Sequence, residues 1–173
     1  MNGIRAAARK GLFDWMNESG PDIVLIQETK AKPEQLDTNI WEKLGYKAFF
    51  HSAVKPGYSG VAIFAKETPD RVVAGMGIPQ YDDEGRVLRL DYGDLSILST
   101  YFPSGSSGEK RQRFKMEFLD DFSRFISELK KQRKSIVIGG DYNICHRPID
   151  IHNPVSNKNS SGFLPEVRVL MSS

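Results

Sequence analysis

A single cysteine, Cys145, stands among 173 residues. No internal disulfide can form, and a reducing compartment is expected. No apolar run approaches the roughly 20 residues of a membrane-spanning helix. The opening Met1-Asn2-Gly3-Ile4-Arg5 does not begin a signal peptide, because no apolar stretch follows the basic residue. The expectation is a cytoplasmic protein with no membrane partner. Net charge is only +2, so bulk charge does not announce nucleic acid. Zinc is a poor candidate, since one cysteine and three scattered histidines make no ligand spacing. Neither a Gly-x-Ser-x-Gly elbow nor a Walker-type phosphate loop occurs, and there is no internal repeat or low-complexity tract.

What is present fits one domain, residues 1–173, of mixed α and β structure with helices flanking strands. Residues 5–18 read as a helix with Leu12, Phe13, Trp15 and Met16 on its apolar side. Gly20-Pro21-Asp22 breaks it, and Ile23-Val24-Leu25-Ile26 follows as a short buried strand. A loop and short helix cover 32–44, a turn-rich segment 55–60, and a strand Val61–Ala65. A polar turn at 81–85 precedes a strand at 87–90. Residues 91–94 read as a hairpin turn into a strand from Leu95 to Tyr101. Glu109–Gln132 is the clearest helix, with Phe114, Phe118, Phe122, Phe125 and Leu129 in one stripe. Its neighbourhood is crowded with Lys110, Arg111, Arg113, Lys115, Lys130, Lys131, Arg133 and Lys134, the pattern of a solvated face. Ile136-Val137-Ile138 is the last buried strand, and everything after Asn143 is polar and irregular.

Two carboxylates share a context. Glu28 and Asp141 each follow an apolar strand and begin a polar loop. Strand ends are rigid edges at which side chains from distant parts of a sequence converge. A carboxylate there is solvated or capping, paired, or bound to a metal, since an unpaired buried charge is costly. With Asn143 beside Asp141, the pair offers hard oxygen ligands that suit Mg²⁺ or Mn²⁺.

The motifs, taken in order, are Asn2-Gly3-Ile4-Arg5-Ala6, Pro21-Asp22-Ile23-Val24, Gln27-Glu28-Thr29-Lys30, Gly57-Tyr58-Ser59-Gly60-Val61-Ala62, Glu84-Gly85-Arg86, Tyr101-Phe102-Pro103, Gly139-Gly140-Asp141-Tyr142-Asn143, His146, Asp150 and Gly162-Phe163. Together they resemble the exonuclease III family of apurinic/apyrimidinic (AP) endonucleases, within the endonuclease/exonuclease/phosphatase superfamily. The resemblance implies an α+β fold, part of a four-layer α/β-sandwich of two packed, mostly antiparallel sheets flanked by helices. It implies Mg²⁺-dependent (or Mn²⁺-dependent) cleavage of double-stranded DNA 5′ to abasic sites, with trimming of 3′ ends. A bacterial-type, nucleoid-associated location follows from the DNA substrate, and no stable protein partner is required.

In that reading Glu28 binds the metal. Asp141 and Asn143 sit at the reacting phosphate, close to the metal, where Asp141 orients or deprotonates the attacking water. Tyr101 hydrogen-bonds the phosphate or its leaving oxygen. Arg5 and Arg86 match DNA-backbone contacts, Tyr58 a residue against the DNA groove, and Asn157 a side chain near the target phosphate or flipped sugar. An abasic nucleotide is cheaper to extrude than a paired base, since little stacking is lost.

The resemblance departs at both ends. The family opens with a strand that carries an Asn, and it closes with a further Asp and a Ser-Asp-His; none is present here. His51, His146 and His152 match no catalytic histidine. The expectation is a chain truncated at both ends with impaired activity. An apolar sheet face would then lie uncovered, leading to marginal stability or self-association. A non-catalytic DNA- or partner-binding chain and a related superfamily phosphatase are the alternatives.

Overall fold

A computed structural model describes residues 3–170. They form two compact units, one running to Tyr101 and including Leu129–Asp141, the other made of Phe102–Glu128 and the residues from Tyr142 onward.

The first unit opens with two short helices, α1 (Ile4–Arg9) and α2 (Leu12–Ser19). The single helix expected over 5–18 is interrupted at Gly11, whose φ of 90° no helical residue adopts. Strand β1 (Ile23–Gln27) follows, then α3 (Asn39–Glu42), β2 (Lys47–His51), β3 (Val61–Ala65), β4 (Arg71–Ala74), α4 (Pro79–Asp82), β5 (Val87–Tyr92) and β6 (Leu95–Tyr101). Helix α5 (Glu109–Gln132) leads to β7 (Ser135–Asp141), and α6 (Pro165–Leu170) closes the described chain. The helix at 109–132 has the expected span. The polar turn at 81–85 is a turn only after the one-turn α4. Strands β2 and β4 escaped the sequence reading because neither holds more than two bulky apolar residues in a row.

One sheet has the order β1-β3-β2, all antiparallel; the other has the order β4-β5-β6-β7, antiparallel except for the parallel β6–β7 pair. The sheets pack face to face, β1 and β3 against β5, β6 and β7. Central strand β3 explains why. Val61, Ile63 and Ala65 point at Leu88 and Leu90 of the facing sheet. Ala62 and Phe64 point outward, into a layer of Ile4, Phe13, Met16 and Trp41 from the helices. All five β3 residues are 0% exposed. Full burial of each larger one stabilises by about 1.5–3 kcal/mol, so a continuous apolar run is consistent only with a strand covered on both faces.

Among the described residues, the uncovered sheet face expected from the sequence is therefore not found. The chain itself supplies both sheets, and their apolar faces close on each other. On the strands, the large apolar residues left exposed are single ones, Val72 on β4 and Val137 on β7, which are normal for a folded surface.

The second unit is held by aromatic contacts. Phe102 packs edge-to-face on Phe118, Phe122 and Tyr142 at centroid distances of 4.9–5.1 Å. Phe118 and Phe122 stack at 5.8 Å, on the stripe expected of α5.

Candidate active site

Strand β1 ends in an unusual turn. Glu28 and Lys30 have φ of 56° and 50°, a left-handed conformation that costs a non-glycine residue about 1–2 kcal/mol. Backbone hydrogen bonds on both sides hold it. Thr29 and Lys30 N–H donate to the carbonyls of Gly60 and Ser59 at 3.1 and 2.9 Å, and Gly3 and Ile4 N–H donate to those of Glu28 and Thr29 at 3.0 and 2.9 Å. Gln27 Nε2 donates to Ser99 Oγ at 3.1 Å, and Ser99 Oγ donates to the Ile26 carbonyl at 3.2 Å. The end of β1 is thereby tied to β6 in the opposite sheet.

The Glu28 carboxylate, half-buried, meets Tyr101 at the end of β6. Tyr101 Oη donates to Glu28 Oε1 at 2.8 Å, and Lys30 Nζ lies 3.5 Å from the same oxygen. Burial raises the Tyr101 phenol well above its usual range. The hydrogen bond to Glu28 and the charges of Glu28 and Asp141 push it the same way, and Arg86 opposes them. Tyr101 is therefore a proton donor throughout the neutral range and not a base.

Arg86 lies beneath. It is 2% exposed, its Nε donates to Glu84 at 2.6 Å, Nη1 to the Tyr101 carbonyl at 2.8 Å and Nη2 to Tyr58 Oη at 3.3 Å. Its guanidinium sits 5.0 Å from the Tyr101 ring centroid, a cation–π contact.

Asp141 is the final residue of β7 and is directly paired in register with Tyr101. The sequence placed it past the strand; the ladder carries it to the strand's last position, exposed. Glu28, Tyr101 and Asp141 are thus gathered at one end of the first unit by strands widely separated in sequence. Asn143 belongs to the second unit. It has a φ of 49°, and its Nδ2 donates to the Phe102 carbonyl at 2.8 Å.

The other sequence-identified residues fall as follows. Arg5 is exposed on α1 and lines a cleft of about 420 Å³ with Gly3, Arg9, Thr29, Lys30 and Gly57, a basic depression beside Glu28. Tyr58 is half-buried, its hydroxyl engaged by Arg86 and its ring 5.3 Å from Lys55 Nζ. Arg86, expected to touch the DNA backbone, is turned inward with its donors on Glu84, Tyr58 and Tyr101, the placement of a residue that positions Tyr101. Asn157 organises its own loop, donating to the carbonyls of His152 and Asn153 and accepting from Ser160 Oγ. His51 is structural, with Nδ1 2.8 Å from the Val87 carbonyl. Sequence reasoning missed two participants: Lys30, although it stood inside a quoted motif, and the inward role of Arg86, for which only the rarity of a buried arginine is a signal.

The donor set constrains any metal. Among the described residues no group of three or more His, Cys, Asp and Glu gathers as a metal cage. Glu28 and Asp141 offer hard oxygen donors, the kind that divalent cations take alongside water and phosphate oxygens. They do not fit structural zinc.

The sequence matches the model of the Endonuclease/Exonuclease/phosphatase family over residues 1–170. The chain belongs to that family. It is 36% identical over 169 residues to an exodeoxyribonuclease of Bacillus subtilis (strain 168), covering 97% of this chain and 66% of the relative. It is 35% identical over 170 residues to the DNA repair nuclease APEX1 of Danio rerio, covering 97% of this chain and 54% of the relative. Among solved structures, an AP endonuclease from Archaeoglobus fulgidus superposes with a TM-score of 0.87 at 28% identity, covering 99% of this chain and 65% of that one. The family member described here therefore spans between half and two thirds of the length of these relatives. The two packed, mostly antiparallel sheets with flanking helices are the fold expected from the resemblance.

Proposed function

We propose that this chain carries the phosphodiesterase centre of a DNA-repair nuclease, which cleaves the backbone 5′ to abasic sites and trims 3′ ends with Mg²⁺ or Mn²⁺. The observation that carries the reading is the Tyr101–Glu28 hydrogen bond of 2.8 Å at a strand-end cluster that includes Asp141. It stands in a chain whose relatives are named as an exodeoxyribonuclease and a DNA repair nuclease.

Each residue has a task that follows from its chemistry. Asp141, exposed at its strand end, accepts a proton from the attacking water and aims its lone pair at phosphorus. Tyr101, kept protonated, donates a hydrogen bond to a phosphate or leaving oxygen as negative charge builds there. Glu28 supplies the fixed carboxylate to which a divalent ion binds; the ion, when bound, neutralises charge on the phosphate oxygens. Arg5, with Arg9 and Lys30 in the adjoining cleft, attracts the DNA backbone. Tyr58 offers an aromatic face to the lesion strand.

A second reading, DNA binding without cleavage, is favoured by the basic cleft of Arg5, Arg9 and Lys30, which attracts a DNA backbone whether or not a bond is cut. One assay separates them. A duplex with a single abasic-site analogue is incubated with the chain in Mg²⁺ or in EDTA. Cleavage that requires Mg²⁺, and falls on the order of a hundredfold or more in Glu28→Ala and Asp141→Ala, supports the proposal. Binding without cutting supports the second reading. Hydrolysis of a phosphoinositide with DNA untouched would move the chain to the phosphatase branch of the family.

A further inference from the structure

Lys115 departs furthest from what the sequence suggests. It stands in a run of basic residues that reads as a solvated helix face, yet it is 0% exposed. Its Nζ donates to the Asn143 carbonyl at 2.6 Å and to the Ser161 carbonyl at 3.3 Å. All of these residues lie in the second unit.

Burying an ammonium is costly, and a methionine of similar shape would avoid the cost. The charge is spent on backbone carbonyls of two segments remote in sequence from α5. One belongs to Asn143, whose φ of 49° lies in the left-handed region, which asparagine enters more readily than most residues but at a cost. The same turn is stitched elsewhere. Cys145 N–H donates to the Gly162 carbonyl at 2.8 Å, and Asn143 Nδ2 to the Phe102 carbonyl at 2.8 Å. The carbonyl and the carboxamide of Asn143 are therefore both pinned, and Lys115 supplies the only full positive charge among these donors.

We propose that Lys115 is a positioning residue, whose buried ammonium holds the Asn143 peptide in its left-handed turn and so sets the direction of the Asn143 carboxamide. This rests on the reading of Asn143 as a group at the reacting phosphate. Lys115 does not touch substrate in this account. It acts through Asn143.

The test has a structural and a catalytic arm. In the unaltered chain, NMR should detect slowly exchanging Lys115 Nζ protons with a coupling across the hydrogen bond to the Asn143 carbonyl carbon. Absence of that coupling overturns the proposal, whatever any variant does. In Lys115→Met, the Asn143 side-chain amide and the Cys145 amide should exchange about tenfold faster or more, while amides of β3 keep their protection. Unchanged Asn143 signals overturn the proposal. In the cleavage assay, Lys115→Met should lower kcat on the order of a hundredfold with KM unmoved. Lys115→Arg should restore most of it, and adding Lys115→Met to Asn143→Ala should cost nothing further. Additive losses overturn the proposal. If Asn143→Ala cleaves as fast as the unaltered chain while the coupling is present, the assignment of Asn143 fails and the clamp stands.

Discussion

Glu28 and Asp141 look alike in the sequence, each a carboxylate where an apolar strand gives way to a polar loop. In the structure they are held by different means. Glu28 lies beyond its strand, in a left-handed turn, half-buried and engaged by Tyr101 and Lys30. Asp141 is the last residue of a regular strand, exposed, and placed by the β6–β7 register. One carboxylate is set by a network and a strained turn, the other by a ladder. Chemistry at the Glu28 end should therefore be coupled to stability, whereas chemistry at Asp141 should be separable from it.

The largest expected effect lies beneath Glu28. Arg86→Ala removes a buried guanidinium together with its bonds to Glu84, Tyr58 and the Tyr101 carbonyl, and should cost on the order of 3 kcal/mol in chemical denaturation. A loss below about 0.5 kcal/mol would show that the network under Tyr101 is not holding that end together.

Next comes the ladder that carries Asp141. A Cβ added at Gly140 would lie 1.9 Å from the Thr100 carbonyl oxygen, which is backbone and cannot step aside. Gly140→Ala should cost about 2 kcal/mol or more and should impair cleavage together with stability. Unchanged denaturation would mean that the strand pairing yields locally and the register is soft.

Tyr101→Phe is smaller. It deletes the hydrogen bond to Glu28, worth about 1 kcal/mol or somewhat more because its acceptor is ionised. The pH dependence follows from the same group. Tyr101, Tyr92 and Tyr142 all have phenols raised by burial. Below the unfolded value of 10.0 each is protonated in both states and contributes no slope. Above it the unfolded chain loses the proton first, so stability falls with rising pH. The tyrosine contribution to thermal stability should therefore be lost above about pH 10, with a shallower decline in Tyr101→Phe. A melting curve indifferent to alkali would contradict the buried phenol.

Smallest is Asp141→Asn. It should leave stability within about 0.5 kcal/mol while abolishing the cleavage proposed here. A large destabilisation would erase the contrast between the two ends.

Much of the fold was legible in the residues. The spacing of Phe114, Phe118, Phe122 and Phe125 marks α5, and the Val61–Ala65 run marks a strand, because apolar patterning is a local property. Glu28 and Asp141 were legible for the same reason, each standing where an apolar run stops. Strands β2 and β4 were not, because neither Lys47–His51 nor Arg71–Ala74 holds more than two bulky apolar residues in a row, too short a run to mark a strand.

By itself, the sequence determined that Glu28 and Asp141 stand at strand ends, that the chain is mixed α and β, and which family its ordered motifs join. Only tertiary structure decided that Tyr101 donates to Glu28, that Arg86 turns inward beneath it, and that Lys115, one cation among many in the chain, is buried against the Asn143 turn. The physical reason is common to all three. Hydrogen bonds and burial depend on which groups meet across strands and helices, and no local window of residues contains that information.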